Sequence, residues 1–302
     1  MDQITMLGTG HAMTFDCFNT CFIYENENGK MLVDTGGGKQ LLQQLRQVGV
    51  NAGEFSAVFI SHRHTDHMLG LPWLFRSIGG PGGGGEITMY LHSDVYRVAL
   101  GMVELLFPDK QQEIMNAVRF VEVKHGDEAE ILGRKVKFLD LNSPNVPQFG
   151  FSMVLGSGKR FVFHGDVPFD EVNRKNIEGT EILMHEAFNL ASDSRGPGPG
   201  GPMPPMPGGP GGPGGPGGPG GPGGMPPMPG APGGPGKPGK MGHSTVKEAA
   251  GYAQSLGVKT LILVHGSDND LACRKEKYIL EASKKFTGEI YAPNDFDVVE
   301  LS

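Results

Sequence analysis

The stretch Ser61-His62-Arg63-His64-Thr65-Asp66-His67-Met68 follows directly on the apolar run of residues 57–60. That run predicts a short buried strand, because apolar residues stand together between polar neighbours. Alternate residues of an extended segment point the same way, so His62 and His64 can bind one metal ion together. A turn after this pair would bring Asp66 and His67 to a second ion nearby. Histidine makes up only 10 of 302 residues, so its clustering here favours metal binding over solvated or core histidines.

The ligand types indicate which metal to expect. Imidazole and carboxylate groups suit Zn²⁺, and they also fit Mn²⁺ or Fe²⁺. The same His-x-His-x-Asp-His motif after an apolar strand resembles the signature of the metallo-β-lactamase superfamily, a superfamily of binuclear hydrolases. The resemblance implies two metal sites, and we expect Zn²⁺ in both.

Predicted strands come in runs with occasional helices between them. Hydrophobic spacing and turn signals predict helices over residues 39–48, 69–78, 94–107, 245–256 and 271–286. This pattern suggests two packed mixed sheets with helices outside. The family resemblance implies an α/β (α+β) fold of the four-layer αββα type, formed by a single domain over residues 1–302.

A Gly/Pro-rich segment interrupts this pattern. Residues 195–240 hold 17 of the 24 prolines and 21 of the 49 glycines of the chain. Such a composition cannot bury an apolar core, so a disordered insert is predicted at about residues 195–241. We expect it to interrupt the domain without dividing it in two.

Composition bears on partners and compartment. The net charge of −7, from 26 basic and 33 acidic residues, argues against a broad electrostatic surface for nucleic acid. No apolar stretch has membrane-spanning length, and the N-terminus lacks a signal-peptide pattern. Cys17, Cys21 and Cys273 are interpreted as buried thiols and not as a disulfide framework. The predicted location is the cytoplasm.

Two later residues complete the metal centre that the resemblance implies. Asp166 follows the predicted strand 160–163 and matches the strand-Gly-Asp motif, whose aspartate bridges both metals. His265 ends the buried strand 260–264 and matches the final metal histidine. The expected metal ligands are His62, His64, Asp66, His67, Asp166 and His265.

Two short motifs resemble the ribonuclease Z branch of the superfamily. His185-Glu186-Ala187-Phe188 is similar to its His-Glu-Ala-Thr loop, and His243-Ser244-Thr245 is similar to its His-Ser-Thr loop. The resemblance implies that this glutamate and histidine assist proton transfer to the leaving group. Helix capping is the alternative interpretation of the second motif. The expected catalytic residues are Asp66, His185, Glu186 and His243.

One position departs from the family pattern. The third histidine of the first metal site should precede a Gly-aromatic step, and Asn142 stands where it is expected. An amide oxygen binds zinc weakly compared with imidazole, so Asn142 is a weak ligand candidate and the first site is expected to bind its ion more weakly than the second. His92 and His125 are alternative ligands for this site.

These observations predict a metal-dependent hydrolase, and first a phosphodiesterase that uses a metal-activated hydroxide on a phosphodiester or another small anionic substrate. Hydrolysis of a small ester, lactone or thioester is the alternative, and a metal-binding relic without catalysis is a third. The ribonuclease Z resemblance would imply a long tRNA-binding arm between the third histidine and the bridging aspartate. Only a short hairpin fits between Asn142 and Asp166, and the insert has few basic residues, so cleavage of tRNA is disfavoured. A homodimer and no membrane partner complete the expectations.

Overall fold

Two β-sheets form the centre of the protein in the computed structural model, which describes residues 1–78, 86–193 and 242–301. Within these ranges each sheet has seven strands. The first sheet comprises β1 (Gln3–Gly8), β2 (Cys21–Asn26), β3 (Gly29–Val33), β4 (Phe55–Ile60), β5 (Ile87–Leu91), β6 (Val118–Glu122) and β14 (Val298–Glu300). Its strand order is β14-β1-β2-β3-β4-β5-β6.

The second sheet comprises β7 (Glu128–Ile131), β8 (Arg134–Asp140), β9 (Phe149–Val154), β10 (Arg160–Phe163), β11 (Ile182–Glu186), β12 (Thr260–Val264) and β13 (Glu289–Tyr291). Its strand order is β13-β12-β11-β10-β9-β8-β7. In each sheet, parallel strands adjoin antiparallel ones: β3 to β6 run parallel in the first, and β10 to β13 in the second. Both sheets are therefore mixed, as the order of elements predicted.

Helices cover the outer faces of the sheets. The first sheet carries α1 (Gln40–Gln47), α2 (Thr65–Met68), α3 (Leu71–Ile78), α4 (Ser93–Leu106) and α5 (Gln111–Ala117). The second carries α6 (Arg174–Ile177), α7 (Val246–Ser255) and α8 (Leu271–Ala282). Short 3-10 turns occur at Ala52–Glu54, Pro108–Lys110 and Glu171–Asn173. None of the helices in these ranges has the length and apolar character that a bilayer crossing requires.

The inner core is an aromatic layer between the two sheets. Phe22 of the first sheet packs edge-on against Phe163 of the second, with ring centroids 5.3 Å apart. Phe59 likewise stacks on Phe138 across the layer at 5.7 Å. Large buried rings on both inner faces stabilise the sandwich through apolar area and ring geometry. With helices outside both sheets, the predicted αββα fold is confirmed.

Local sequence signals were accurate at several elements and silent at others. The helix predicted over 245–256 forms as α7, with Thr245 and Glu248 in a reciprocal capping box. Strand β7 and helix α5 had no recognised signal, and the last helix ends at Ala282 and not at residue 286. Cys17 and Cys21 are buried thiols, but Cys273 is exposed, so that prediction was wrong for one cysteine. The insert predicted at residues 195–241 lies outside the described residues.

The strand ends decide where the functional residues meet. Residues that follow β3 and β4 of the first sheet face residues that follow β10, β11 and β12 of the second. The backbone N–H of Phe149 donates to Ser61 O at 2.9 Å, which joins the two sheets at this edge. Gly266, just after β12, forms a bridge with Gly10 after β1. Carboxyl ends of strands from both sheets therefore enclose one site.

Glycine substitutions test this packing. Gly101 lies inside α4, and an added β-carbon there meets no atom within 4 Å. We expect Gly101→Ala to raise the free energy of unfolding by about 0.5–1 kcal/mol, because alanine loses less backbone entropy in a helix. Urea unfolding followed by circular dichroism measures the change.

The matched contrast is Gly150→Ala. A β-carbon at Gly150 would lie 2.1 Å from the backbone oxygen of Phe163, so β9 and β10 would have to separate. We expect a loss of about 1–3 kcal/mol in the same assay. Equal effects of the two substitutions would contradict the strand packing described here.

Candidate metal centre

The loop after β4 turns four side chains into one region. His64 has an extended backbone and precedes α2, so the chain changes direction there and Asp66 and His67 lie in the first turn of α2. His62 Nε2 and His64 Nδ1 approach each other to 2.9 Å. His62 is fully buried, whereas His64 borders solvent. The structure therefore brings together the residues that the motif predicted to act together.

One group of ligand atoms has the spacing of a tetrahedral cation site. Asp66, His67, Asp166 and His265 are all buried, and their ligand atoms lie within 4.8 Å of one another. Asp66 Oδ2 is 3.4 Å from His67 Nε2 and 3.6 Å from His265 Nε2. Asp166 Oδ2 is 3.5 Å from His67 Nε2. Ligands bound at zinc distances in a tetrahedron lie about 3.3–3.6 Å apart, so these four residues, the second-site group, fit one cation.

Unpaired buried atoms support the same conclusion. His67 Nε2, both ring nitrogens of His265 and Asp166 Oδ1 are buried without a hydrogen-bond partner. His265 Nδ1 lies only 2.8 Å from Asp166 Oδ1, yet the two are not aligned for a hydrogen bond. Buried polar atoms are normally paired, so a cation that accepts one lone pair from each of these residues would satisfy most of the group.

Charge also favours a cation here. Although burial opposes ionisation, the imidazoles of His265 and His67 hold the pKa of Asp66 well below its usual value. Burial opposes the ionisation of Asp166 as well, yet His265, His243 and His67 lower its pKa well below the usual range. Both carboxylates are therefore anionic near neutral pH, as metal ligands must be.

Asp166 also belongs to two further groups, each with ligand atoms within 4.8 Å of one another. One joins it to Glu186, His243 and His265, and the other, the first-site group, consists of His62, His64 and Asp166. His62 Nε2 is 3.8 Å from Asp166 Oδ2. A carboxylate shared by several ligand groups would contact more than one bound cation. The first-site group has three members and the second-site group has four.

Asp34 is a site residue that the sequence identified only as part of a turn, Asp34-Thr35-Gly36-Gly37, which resembles the superfamily's Asp-x-Gly turn. It follows β3 with a left-handed φ of 57°, which aspartate tolerates better than most residues. Its Oδ2 accepts a hydrogen bond from His67 Nδ1 at 2.8 Å and another from Ser61 Oγ at 2.7 Å. Its Oδ1 accepts from the Ser61 N–H at 2.7 Å. A carboxylate behind a ligating imidazole fixes the ring and raises its basicity.

Glu186 and His243 form an acid–base pair beside Asp166. His243 Nδ1 lies 2.6 Å from Glu186 Oε2 and 3.1 Å from Asp166 Oδ1. The N–H of Ser244 donates to Glu186 Oε1 at 2.7 Å, which fixes the carboxylate. Burial opposes the charge on His243, but the two carboxylates raise its pKa to about 10. The histidine therefore carries a proton at neutral pH in the metal-free site.

His185 is not part of this arrangement. Neighbouring residues of a strand point to opposite faces, so His185 leaves β11 away from Glu186. Its Nδ1 contacts the Glu186 backbone oxygen at 2.7 Å, and its ring stacks on His164 at 4.8 Å. The catalytic prediction for His185 thus lacks the contacts that Glu186 and His243 have.

The three candidates for the missing first-site histidine make other contacts, although Asn142 lines the same cavity as His64 and Asp166. Asn142 is exposed, and its N–H donates to Asp140 Oδ1 at 2.9 Å. His92 stacks on Phe149 at 4.9 Å, and His125 Nδ1 accepts a hydrogen bond from the Asp140 N–H. Among the described residues, neither histidine belongs to any of the groups that could hold a metal.

A cavity of about 750 Å³ opens beside the centre. His64, Asp166 and His243 form the part of the cavity wall that belongs to the candidate metal centre, and residues of the segments 141–148 and 166–170 form most of the rest.

His11 is a further residue near the centre that the sequence did not identify. Its ring lies 6.3 Å from that of His265, and burial together with the charge of His265 lowers its pKa to about 4. Only its place after Gly8-Thr9-Gly10 could have drawn attention to it.

Curated relatives share the sequence pattern. Ribonuclease Z of Parabacteroides distasonis is 33% identical over 239 residues, which cover 64% of this chain and 78% of that protein. Ribonuclease Z of Pyrobaculum neutrophilum is 25% identical over 98% of this chain and 97% of its own length. Ribonuclease Z of Methanosarcina acetivorans is 29% identical over the matched region, which covers 48% of that relative, about half of its length.

Solved structures share the fold. The metallo-β-lactamase fold protein YhfI of Bacillus subtilis superposes with a TM-score of 0.69 at 16% identity, covering 99% of this chain and 98% of that one. The short form of human tRNase Z superposes with a TM-score of 0.65 at 19% identity, covering 99% of both chains. Together with the curated relatives, these likenesses define the class: a hydrolase of the metallo-β-lactamase superfamily that resembles its ribonuclease Z branch.

Within this class the family can be stated. The family described as "Anti-Pycsar protein Apyc1" matches residues 2–193, which is more than half of the chain. The protein therefore belongs to the Anti-Pycsar protein Apyc1 family. The matched region contains five of the six expected metal ligands, and His265 lies beyond it.

Asp34→Asn tests the support behind His67. The amide keeps the shape and the left-handed backbone but removes the negative charge, so we expect metal affinity to fall at least about tenfold. Zinc content after dialysis against a zinc buffer, measured by mass spectrometry, reports the change. Asp94→Asn, on helix α4, is the matched control and should keep wild-type metal content. A zinc affinity of Asp34→Asn equal to that of wild type would remove Asp34 from the site.

Proposed function

We propose that this protein is a metal-dependent phosphodiesterase that hydrolyses a small phosphodiester at a centre of two divalent cations. One observation carries the proposal: three groups of ligand atoms share Asp166, and one of them contains the Glu186–His243 pair, which lies against the same carboxylate. When bound, the cations would supply Lewis-acid activation of a phosphoryl oxygen and of the attacking water. We expect Zn²⁺, with Mn²⁺ or Fe²⁺ as alternatives.

The chain's own residues supply the remaining chemistry. His62 and His64 would hold the first ion, Asp66, His67 and His265 the second, and Asp166 both. Glu186 orients His243 through Nδ1, and His243 lines the cavity. A histidine oriented by a buried carboxylate is suited to deliver a proton to the leaving oxygen. Asp66, which faces the second-site imidazoles, is placed to orient the attacking water.

The size of the cavity favours a small substrate. A volume of about 750 Å³ lies within the range of about 300–1,000 Å³ that small-molecule sites occupy. Cleavage of a tRNA precursor is the second candidate, supported by the ribonuclease Z names of the relatives. The net charge of −7 disfavours it, because RNA binding relies on contacts between basic residues and phosphates.

A substrate panel tests the reaction class. We expect zinc- or manganese-dependent hydrolysis of bis(p-nitrophenyl) phosphate, and little or none of lactones, thioesters or pre-tRNA. Asp66→Ala and His265→Ala should each remove most bound metal and abolish turnover while the far-ultraviolet circular dichroism stays unchanged. Full activity in either variant would end the two-cation proposal. Preferential hydrolysis of lactones or thioesters would contradict the proposed phosphodiesterase activity and favour a lactonase or thioesterase.

Leaving-group dependence tests the role of His243. We expect His243→Ala to slow hydrolysis of a phosphodiester with an alkoxide leaving group by about 10²–10⁴-fold, the range typical of general acid catalysis. A p-nitrophenolate leaving group needs little protonation, so bis(p-nitrophenyl) phosphate should be affected far less. His125→Ala, a histidine outside the ligand groups, is the control. Equal losses on both substrates would assign His243 to binding or structure.

A further inference from the structure

The first-site and second-site groups differ in the number of their ligands. The second-site group has four members, whereas the first-site group has only His62, His64 and Asp166. Three protein ligands leave the first cation dependent on other donors, because zinc takes four ligands and harder cations take six or more. A further protein donor near His62 and Asp166 would remove this difference.

Asn142, the candidate from the sequence, is poorly suited to that position. Its residue is exposed, and it has a left-handed φ of 57° just after β8. An exposed amide oxygen already binds water, so it gains little from a cation. Its backbone N–H donates to Asp140 Oδ1 at 2.9 Å.

Gln148 differs from Asn142 in its burial. Both line the same cavity as His64 and Asp166, but the side chain of Gln148 is only 3% exposed. Its Oε1 is buried and has no hydrogen-bond partner. An unpaired buried amide oxygen is costly, and its position in the cavity wall calls for a positive partner.

The neighbours of Gln148 place it between the two parts of the first-site group. The next residue, Phe149, donates its N–H to Ser61 O, directly before His62. Gln148 Oε1 lies 4.0 Å from the position that a β-carbon would take on Gly165, directly before Asp166. Gln148 is thus adjacent in space to the chain segments that carry both His62 and Asp166.

We propose that the side-chain oxygen of Gln148 is a ligand of the first cation, in the place where relatives of this fold would present an imidazole. This assignment rests on the two-cation centre proposed above. An amide oxygen is a harder donor than imidazole, so the first site should prefer Mn²⁺ over Zn²⁺ relative to the second site.

Manganese binding tests the assignment without any use of activity. Free Mn²⁺ is counted by electron paramagnetic resonance during titration of the full-length protein, and bound metal is checked by mass spectrometry. Wild type should bind two ions per chain. Gln148→Met has similar volume but no oxygen, so we expect one ion to bind at least about tenfold more weakly and the other to stay unchanged. Gln148→Glu should tighten the same ion.

Controls separate this proposal from its alternatives. Asn142→Ala should leave both ions unchanged, and a selective loss of one ion there would transfer the role to Asn142. In EDTA, Gln148→Met should melt no lower than wild type, because an unpaired buried oxygen has been removed; a lower melting temperature would mean that Gln148 is structural. Two ions at wild-type affinity in Gln148→Met, with a raised KM, would make Gln148 a substrate contact and refute the assignment. Wild-type protein that binds no ion would refute the metal-dependent function itself.

Discussion

Four buried carboxylates, those of Asp34, Asp66, Asp166 and Glu186, lie within one edge of the sandwich. An ionised carboxylate loses several kcal/mol of solvation on burial, so each needs an opposite charge or several donors nearby. All four lie beside imidazole rings, and Asp34 also accepts two hydrogen bonds from Ser61. Divalent cations would add positive charge among these carboxylates and so stabilise the arrangement further.

The ligands stand at the ends of strands, where the backbone holds them in place. Backbone at the end of a buried strand is held rigidly by its ladder, so side chains there lose little additional freedom when they bind an ion. His265 and Asp34 both have left-handed backbones, with φ near 60°. Such conformations are uncommon for residues other than glycine and persist where the surrounding structure holds them, as the sheets do here.

Much of this centre was predictable because its signals are local. The three histidines and Asp66 of residues 62–67 follow one strand, and Asp166 and His265 each follow another, so the motifs of the family that the chain resembles could be matched to them. The αββα fold followed from the family resemblance and the order of elements. Asp34 could not be assigned a role, because its contact with His67 depends on the pairing of β3 with β4.

Other parts depend on which way a side chain points. His185 and Glu186 are adjacent, and the sequence gives no reason to prefer one face of β11 over the other, since the strand is buried on both. The same holds for Asn142 and Gln148 around the irregular segment between β8 and β9. The geometry of that segment is set by hydrogen bonds from the Asn142 N–H to Asp140 and from the Phe149 N–H to Ser61. Asp140 is distant in sequence from Gln148, and Ser61 is distant from both Asn142 and Gln148.

The order of the chain has a consequence for how the protein is made. The first sheet is completed by β14, which pairs with β1, and the second-site group is completed by His265. Both are synthesised long after the histidines of residues 62–67. A nascent chain would therefore display those histidines before it could form the complete second-site group. In the two-cation centre proposed above, retention of the second-site ion would follow closure of the sheets, so folded apoprotein, and not nascent chain, would take up that ion.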